Sequence, residues 1–333
     1  MSSPTTIREV SKLAGVSIST VSRVLNESGP VSNSARSNVL AAVEELNYQP
    51  NSLARGLVTS RSGGIGVSIN SISSPFFSAL LEGIETQIDT QEMHLLVANG
   101  RAEIERERAS IRYLRQHADA VIAFVEAIPE EELITLAQNM KLVVIGRHII
   151  EIADRCVYLD NEQGGYIATQ CLIKHGHKRI AHISGPLQLP DSRARLQGYR
   201  QALQDAGIAF DERLIIEGQF HETDGQHATH RLLDRNLKIS AIFAANDQMA
   251  TGVLHALRSR NLEVPQDISL IGYDDLIFSR YLTPSLSTIR QPLKEMGEAA
   301  AQLAIAQLEG KEVEVKRKFD AQVIHRRSVR EFK

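Results

Sequence analysis

The feature that most constrains this chain is a rhythm that starts near residue 63. Short runs rich in Ile and Val recur as IGVSI (65–69), HLLVA (94–98), AVIAFV (120–125), KLVVI (141–145), VYLD (157–160), RIAHI (179–183), RLIIEG (213–218), AIFAA (241–245), ISLIGY (268–273), LSTIRQ (286–291) and FDAQVIH (319–325). Longer amphipathic stretches lie between many of them, such as 77–91, 106–117 and 246–261. Runs this short and this apolar suit strands buried on both faces. Their alternation with helices predicts parallel, doubly wound sheets. About ten strands exceed one comfortable sheet, so two α/β subdomains are expected. Ligands of open α/β sheets sit beyond the carboxyl ends of the strands. Asn99, Arg147, Asn246, Asp247, Asp274, Asp275 and Gln291 all fall at such ends.

Residues 1–49 lack this rhythm and read as helices alone. Within TIREVSKLAGVSISTVSRVLN (6–26), Ile7, Val10, Leu13 and Ala14 share one helical face, and Val21, Val24 and Leu25 form a second. Gly15 supplies a tight turn between them, and Ser17 is a natural N-cap, with Thr20 three residues later. This is the layout of a helix-turn-helix. A third helix is expected over 31–48, with Ser32 near its start and Val39, Val43 and Leu46 inward. The second helix would offer Ile18, Ser19 and Arg23 to a major groove. Arg23 can pair with guanine or phosphate, and Ile18 can meet a thymine methyl. The hydroxyls of Ser17, Thr20 and Ser22 can hold phosphate oxygens. On pattern alone, a plain three-helix bundle with a solvated Ser/Thr face stands beside this reading. The stretch PNSLARGLVTSRSGG (50–64) can form a short helix and ends in Ser and Gly, as a linker does.

AGVSISTVSRVLN (14–26), the VS at 31–32, ELNYQPN (45–51) and LARGL (53–57) together resemble the DNA-binding head of the LacI/GalR family of bacterial repressors. The resemblance implies base-reading roles for Ile18, Ser19 and Arg23. It implies backbone contacts for Thr6, Ser17, Thr20, Ser22, Asn26 and Asn51. The segment from Asn51 to Val58 matches a hinge helix of that family, with Arg55 on the DNA and Leu57 inserting into the minor groove. Eight residues make a marginal helix in water, weakened further by Gly56. Such a segment is expected to order on DNA, where two leucines can wedge a base step.

The resemblance continues through SSPFFSALLEGIE (73–85), LDNEQGGYIATQCLIKHGHKRIAHISGP (159–186), RLQGYRQAL (195–203), AIFAANDQMATGVLHAL (241–257) and VPQDISLIGYDDLIFSRYLTPSLSTIRQP (264–292). DRCVYLDN (154–161) and SRYLTPSLSTIR (279–290) point to the galactose-repressor-like subgroup. The implied architecture is an all-α head (1–49), a hinge helix and linker (50–62), and a periplasmic-binding-protein-like core (63–333) that binds effector and dimerises. Its two subdomains are placed at about 63–161 with 292–318, and 162–291 with 319–333. The implied effector ligands are Arg195, Asn246 and Asp274, then Arg147 and Gln291, with Phe76, Phe77 and Phe220 as apolar walls. Gly146 and Ser74 stand where relatives place planar hydrogen-bonding residues.

Other chemistry finds little support. Lys+Arg total 37 against 40 Asp+Glu, a formal charge of −3, so a uniformly basic coat is excluded while a local DNA-contacting patch is not. No run of about 18 apolar residues suggests a membrane span, and MSSPTTIREV lacks the apolar run of a secretory signal. A cytoplasmic protein with no membrane partner is expected. Cys156 and Cys171 form neither metal spacing nor a disulfide framework. The side chains of adjacent Asp274 and Asp275 diverge in an extended segment, and no nucleophile, zinc or phosphate-loop motif accompanies them. No catalytic residues, metal or cofactor are expected. The expected function is a transcriptional regulator, a repressor of sugar-utilisation genes. It acts as a homodimer on an operator and responds to a neutral sugar such as galactose or a galactoside. A nucleoside, purine or phosphorylated-sugar effector is the first alternative. A sugar-binding protein or glycoside-processing enzyme with an N-terminal interaction bundle is the second.

Overall fold

The computed structural model describes residues 5–25, 29–48, 62–91 and 93–332. The chain divides into two compact units at Gly63–Gly64.

The first unit contains α1 (Ile7–Ala14), α2 (Ile18–Leu25) and α3 (Asn33–Glu45). Each start has a local cause. Thr6 precedes α1 and donates its N–H to Glu9 Oε2 at 2.7 Å, a carboxylate in the first turn where the helix dipole favours negative charge. Ser17 Oγ accepts from Thr20 N at 3.1 Å, and Ser32 Oγ from Ala35 N at 3.3 Å, so two otherwise orphaned N–H groups are satisfied. Gly15 ends α1 at φ +66°, a left-handed conformation that costs glycine little. Val10, Ala14, Val21, Val24, Val39 and Ala42 form the buried core. Leu13, expected on the inward face, is 46% exposed. It lies on the flank of a helix face already filled by Val10 and Ala14.

The second unit holds two six-stranded sheets. In the first the order is β11–β5–β4–β3–β1–β2, all parallel. These strands are β1 (Gly64–Ile69), β2 (His94–Asn99), β3 (Ala120–Phe124), β4 (Leu142–Ile145), β5 (Cys156–Leu159) and β11 (Lys318–Phe319). In the second the order is β12–β10–β9–β8–β6–β7. These are β6 (Ile180–Ser184), β7 (Ile215–Glu217), β8 (Ala241–Ala244), β9 (Ser269–Asp274), β10 (Ser287–Arg290) and β12 (Gln322–Ile324). Strands β1, β3, β4, β6, β8 and β9 are buried along their whole length, as parallel strands covered on both faces must be. Edge strand β2 has no fully buried residue, with His94 and Val97 exposed and the rest half-buried.

The covering helices are α4 (Pro75–Ile88), α5 (Ile104–His117), α6 (Glu130–Asn139), α7 (Asn161–Lys174), α8 (Pro190–Asp205), α9 (Glu222–Asp234), α10 (Asp247–Ser259) and α11 (Leu293–Glu309). The chain passes between the sheets three times, after β5, after β10 and after β11. The run 319–325, expected as one strand, is therefore two. Phe319 pairs with Leu159 in the first sheet, and Gln322–Ile324 runs antiparallel to β10 in the second. Phe319 packs into a core while Asp320 stays exposed, so the chain turns at Asp320–Ala321.

Helices α7 and α8 pack closely enough that a Cβ on Gly165 would overlap the Arg195 carbonyl, and one on Gly198 the Glu162 carbonyl. That close approach brings Arg195, on α8, against Asn161, the first residue of α7.

Candidate functional site

In the first unit, α2 presents the side chains that the resemblance singles out. Ile18 is 44% exposed, and Ser17, Ser19 and Arg23 are exposed around it, with Thr20 and Ser22 half-buried and Thr6 exposed before α1. The hydroxyls of Ser17 and Ser19 lie 2.7 Å apart, and those of Ser17 and Thr20 2.9 Å apart. A rank of hydroxyls at a helix start beside one exposed apolar side chain can grip phosphate oxygens and touch a thymine methyl. Asn26, Asn51, Arg55 and Leu57 lie outside the described residues.

In the second unit, the carboxyl ends of strands from both sheets converge on a cavity of about 410 Å³, within the range of small-molecule sites. Asn70 follows β1, Glu126 follows β3, Asn246 follows β8, and Asp274 ends β9. Phe76 and Phe77 open α4 on one wall. With Phe124 they form a cluster of edge-to-face rings, with centroids 5.0, 5.6 and 5.1 Å apart. Phe220 faces them from the second sheet's side, held at φ +67°. A bulky residue in that region is strained, and such strain gathers at functional sites.

The polar groups are fixed from behind. Arg195 is 4% exposed. It donates Nε to Asn161 Oδ1 at 2.8 Å and Nη1 to the Ala245 carbonyl at 2.6 Å. Its guanidinium lies 3.9 Å from the centroid of the Tyr273 ring, a cation–π contact that holds its plane. Asn246 caps α10, with Oδ1 accepting from Met249 N at 2.8 Å, and donates Nδ2 to the Phe220 carbonyl at 3.0 Å. Capping and cavity lining thus belong to one side chain. Asp274, at φ +109°, accepts from Gln291 Nε2 at 2.7 Å. Burial pushes the Asp274 carboxyl up to about 8, against the pull of the Arg195 charge.

Two of the expected ligands are placed elsewhere. Arg147 does not line the cavity. Its Nη1 donates to the Ile128 carbonyl at 2.6 Å and its Nη2 to Glu130 Oε1 at 3.1 Å. Gly146, at φ +89°, turns the chain away just before it. Gln291 is buried and supports Asp274 rather than lining the space. Phe76, Phe77, Arg195, Phe220, Asn246 and Asp274 are brought together on the cavity wall. Asp247 lies one layer below, accepting from Leu276 N at 2.9 Å, Ser279 Oγ at 2.6 Å and Thr288 Oγ1 at 2.6 Å. Asp275 is tied to Arg290 at 2.8 Å and Arg326 at 2.5 Å.

Asn70, Phe124, Glu126, Asp191 and Gln248 also line the cavity and were not singled out by sequence. For Asn70 and Glu126 the signal was present, since each follows an apolar run at a strand's carboxyl end. Gln248 accepts from Ser74 Oγ at 2.9 Å, a bond between α10 and the residue before α4 that joins the two subdomains across the cleft. Among the described residues, no group of three His, Cys, Asp or Glu could hold a metal ion, and no helix is long and apolar enough to cross a membrane.

A helix-turn-helix head carried with a two-sheet receptor cleft defines a class, a regulator of transcription that contains its own small-molecule sensor. Residues 6–51 match the bacterial regulatory proteins of the lacI family, and residues 169–329 match the periplasmic binding protein-like domain. The HTH-type transcriptional regulator GalR of Escherichia coli K12 is 37% identical over 327 residues, 97% of this chain and 95% of GalR. The structure of the lac repressor dimer bound to operator and the anti-inducer ONPF shares 28% identity at a TM-score of 0.87, covering 98% of this chain and 100% of that one. The complex of the transcriptional regulator CelR with cellobiose shares 33% identity at a TM-score of 0.70, covering 97% and 99%. The chain belongs to the lacI family of bacterial regulatory proteins. It is a DNA-binding transcriptional regulator.

Proposed function

We propose that the protein is a sugar-responsive repressor, acting in the cytoplasm as a homodimer on a pseudo-palindromic operator. Residues 1–49 read DNA, 50–62 form the hinge, and 63–333 bind the effector and dimerise. The observation that carries the effector reading is the convergence of Arg195, Asn246 and Asp274 with Phe220 and the Phe76–Phe77–Phe124 cluster on one cavity. Sugars need that combination. Planar side chains share hydroxyls as donors and acceptors, and aromatic faces cover the C–H surfaces of the ring. A cellobiose complex in one relative and an anti-inducer complex in another support the same reading. Closing one subdomain on the other around the sugar would bias the core between two states that the paired heads can sense.

A phosphorylated effector is disfavoured. Of the two arginines on the described lining, Arg101 and Arg195, the second already donates to Asn161 and the Ala245 carbonyl, so a dianion would find few free charged donors there.

The test is a mobility-shift titration of the full-length protein on duplexes from its own promoter region, with and without a panel of sugars. Specific retardation that one sugar class changes supports the assignment. Retardation that is indifferent to sequence defeats the operator claim. Specific retardation unmoved by every sugar that raises the protein's melting temperature defeats the allosteric claim.

A further inference from the structure

The cleft wall carries more acid than its arginine can balance. Glu126, Asp191 and Asp274 share the influence of one buried guanidinium, Arg195. Two of its nitrogens are already committed to Asn161 and Ala245, and its Nη2 lies 3.8 Å from Asp191 Oδ2. Glu126 follows β3 of the first-sheet subdomain and Asp191 lies on α8 of the second, so the two acids line the cavity from opposite sides of the cleft. The charge of Asp191 is felt at Glu126, and burial raises the proton affinity of both. The remaining charged lining groups, Arg101, Glu103 and His221, are exposed.

Glu126 is held in this position by its surroundings. The carboxylate of Glu107, itself fully buried, accepts from three successive backbone N–H groups, those of Glu126 at 2.9 Å, Ala127 at 2.9 Å and Ile128 at 3.0 Å. Arg147 grips the Ile128 carbonyl of the same loop at 2.6 Å. Asn70 Nδ2 then donates to Glu126 Oε2 at 2.8 Å, while no hydrogen bond to Glu126 Oε1 is seen among the described residues. Three N–H groups on one buried carboxylate make a stiff loop, and the Glu126 side chain stands at its tip beside the phenylalanine cluster. A positioned carboxylate pair next to apolar rings is an unfavourable arrangement until something with positive charge or strong donors joins it.

We propose that Glu126 and Asp191 form a cross-cleft acid seat that determines the effector's chemistry, selecting a sugar with a protonated amine, a hexosamine. This rests on the reading of the cleft as a sugar site and narrows it. The ammonium would donate to Glu126 on one wall and Asp191 on the other, drawing the subdomains together, while ring hydroxyls meet Asn246 and Asp274.

Calorimetric titration of the full-length protein tests it. The series is galactose, galactosamine, N-acetylgalactosamine and galactose 6-phosphate, with the four gluco counterparts. In one of the two series the amine should bind at least about tenfold more tightly than the parent and the N-acetyl form, a difference of about 1.4 kcal/mol. The phosphate should show no heat. In Glu126→Gln the ratio of amine to parent should fall to about one, and Glu126→Asp should keep a larger ratio than Glu126→Gln, with circular dichroism confirming that both variants fold. Equal binding of amine and parent to the wild-type protein overturns the acid seat and leaves the sugar reading standing. Absence of heat with all eight compounds overturns the sugar reading, and the acid seat falls with it.

Discussion

Asp274 shows how much a single position can hold in tension. It is 4% exposed, sits at φ +109°, and has one strong donor, Gln291 at 2.7 Å. Its proton affinity is raised to about 8, chiefly by burial. A carboxyl whose folded value lies above its unfolded one keeps more protons in the folded state, so stability falls as pH rises through that window. Asp274→Asn removes the titration and keeps the shape. The substitution is expected to raise stability at pH 8 relative to wild type by about 1.4 kcal/mol for each pH unit by which the folded value exceeds the unfolded one, with the gain disappearing near pH 4. Denaturant midpoints at the two pH values check this. Effector binding should weaken in the same variant, since the amide can place an NH2 group where a carboxyl oxygen would accept from an effector hydroxyl. On the head, Arg23 is exposed on α2 and is the proposed base reader. Arg23→Ala should weaken specific operator binding by about 1–3 kcal/mol and leave the melting temperature within experimental scatter. Fluorescence anisotropy on specific and scrambled duplexes separates base reading from phosphate contact. An equal loss on both duplexes would reassign Arg23 to the backbone.

At the scale of elements, the site depends on helices brought unusually close. Gly198 on α8 faces the Glu162 carbonyl of α7, and Gly165 on α7 faces the Arg195 carbonyl of α8. Gly198→Ala should cost about 1–3 kcal/mol through overpacking. It should also weaken effector binding, because the shift carries Arg195 away from Asn161. A variant that loses stability yet binds effector at wild-type strength would show that Arg195 is positioned by Tyr273 and Ala245 alone.

Elements are also where the sequence is most and least readable. The apolar runs disclosed the strands, because parallel strands buried on both faces need Ile and Val throughout. Caps disclosed the helix starts, because Ser17, Ser32 and Asn246 satisfy backbone N–H groups that nothing else can reach. The break inside 319–325 was hidden, since Phe319 and Val323 look like one strand while they pack with different sheets. Arg147 stands at a strand end, and the family resemblance implied a ligand role for it. Its turn toward Ile128 and Glu130 depends on side-chain direction, which spacing does not encode. Phe124 lies within an apolar run and cannot be told from core by composition, although its ring closes the cavity wall.

For the molecule as a whole, operator and effector are coupled ligands, and that coupling must be reciprocal. If a sugar changes operator affinity by some factor, the operator must change sugar affinity by the same factor, typically about 5–150-fold in such systems. The two equilibria should differ sharply in their response to salt. Operator binding neutralises phosphates and releases counterions, so the logarithm of its affinity should fall linearly with the logarithm of salt concentration. Effector binding to the free protein should respond far less, hardly at all for a neutral sugar and by no more than one charge for an amino sugar. The coupling factor, being a ratio of two operator affinities, should stay near constant with salt so long as the heads keep the same phosphate contacts in both states. Measuring operator affinity at several salt concentrations, with and without saturating effector, decides the mechanism. Parallel lines mean the effector shifts the population of one binding-competent state. Lines of different slope mean that the effector-bound protein still docks with fewer phosphate contacts, so the sugar would remodel the bound complex as well as shift the equilibrium.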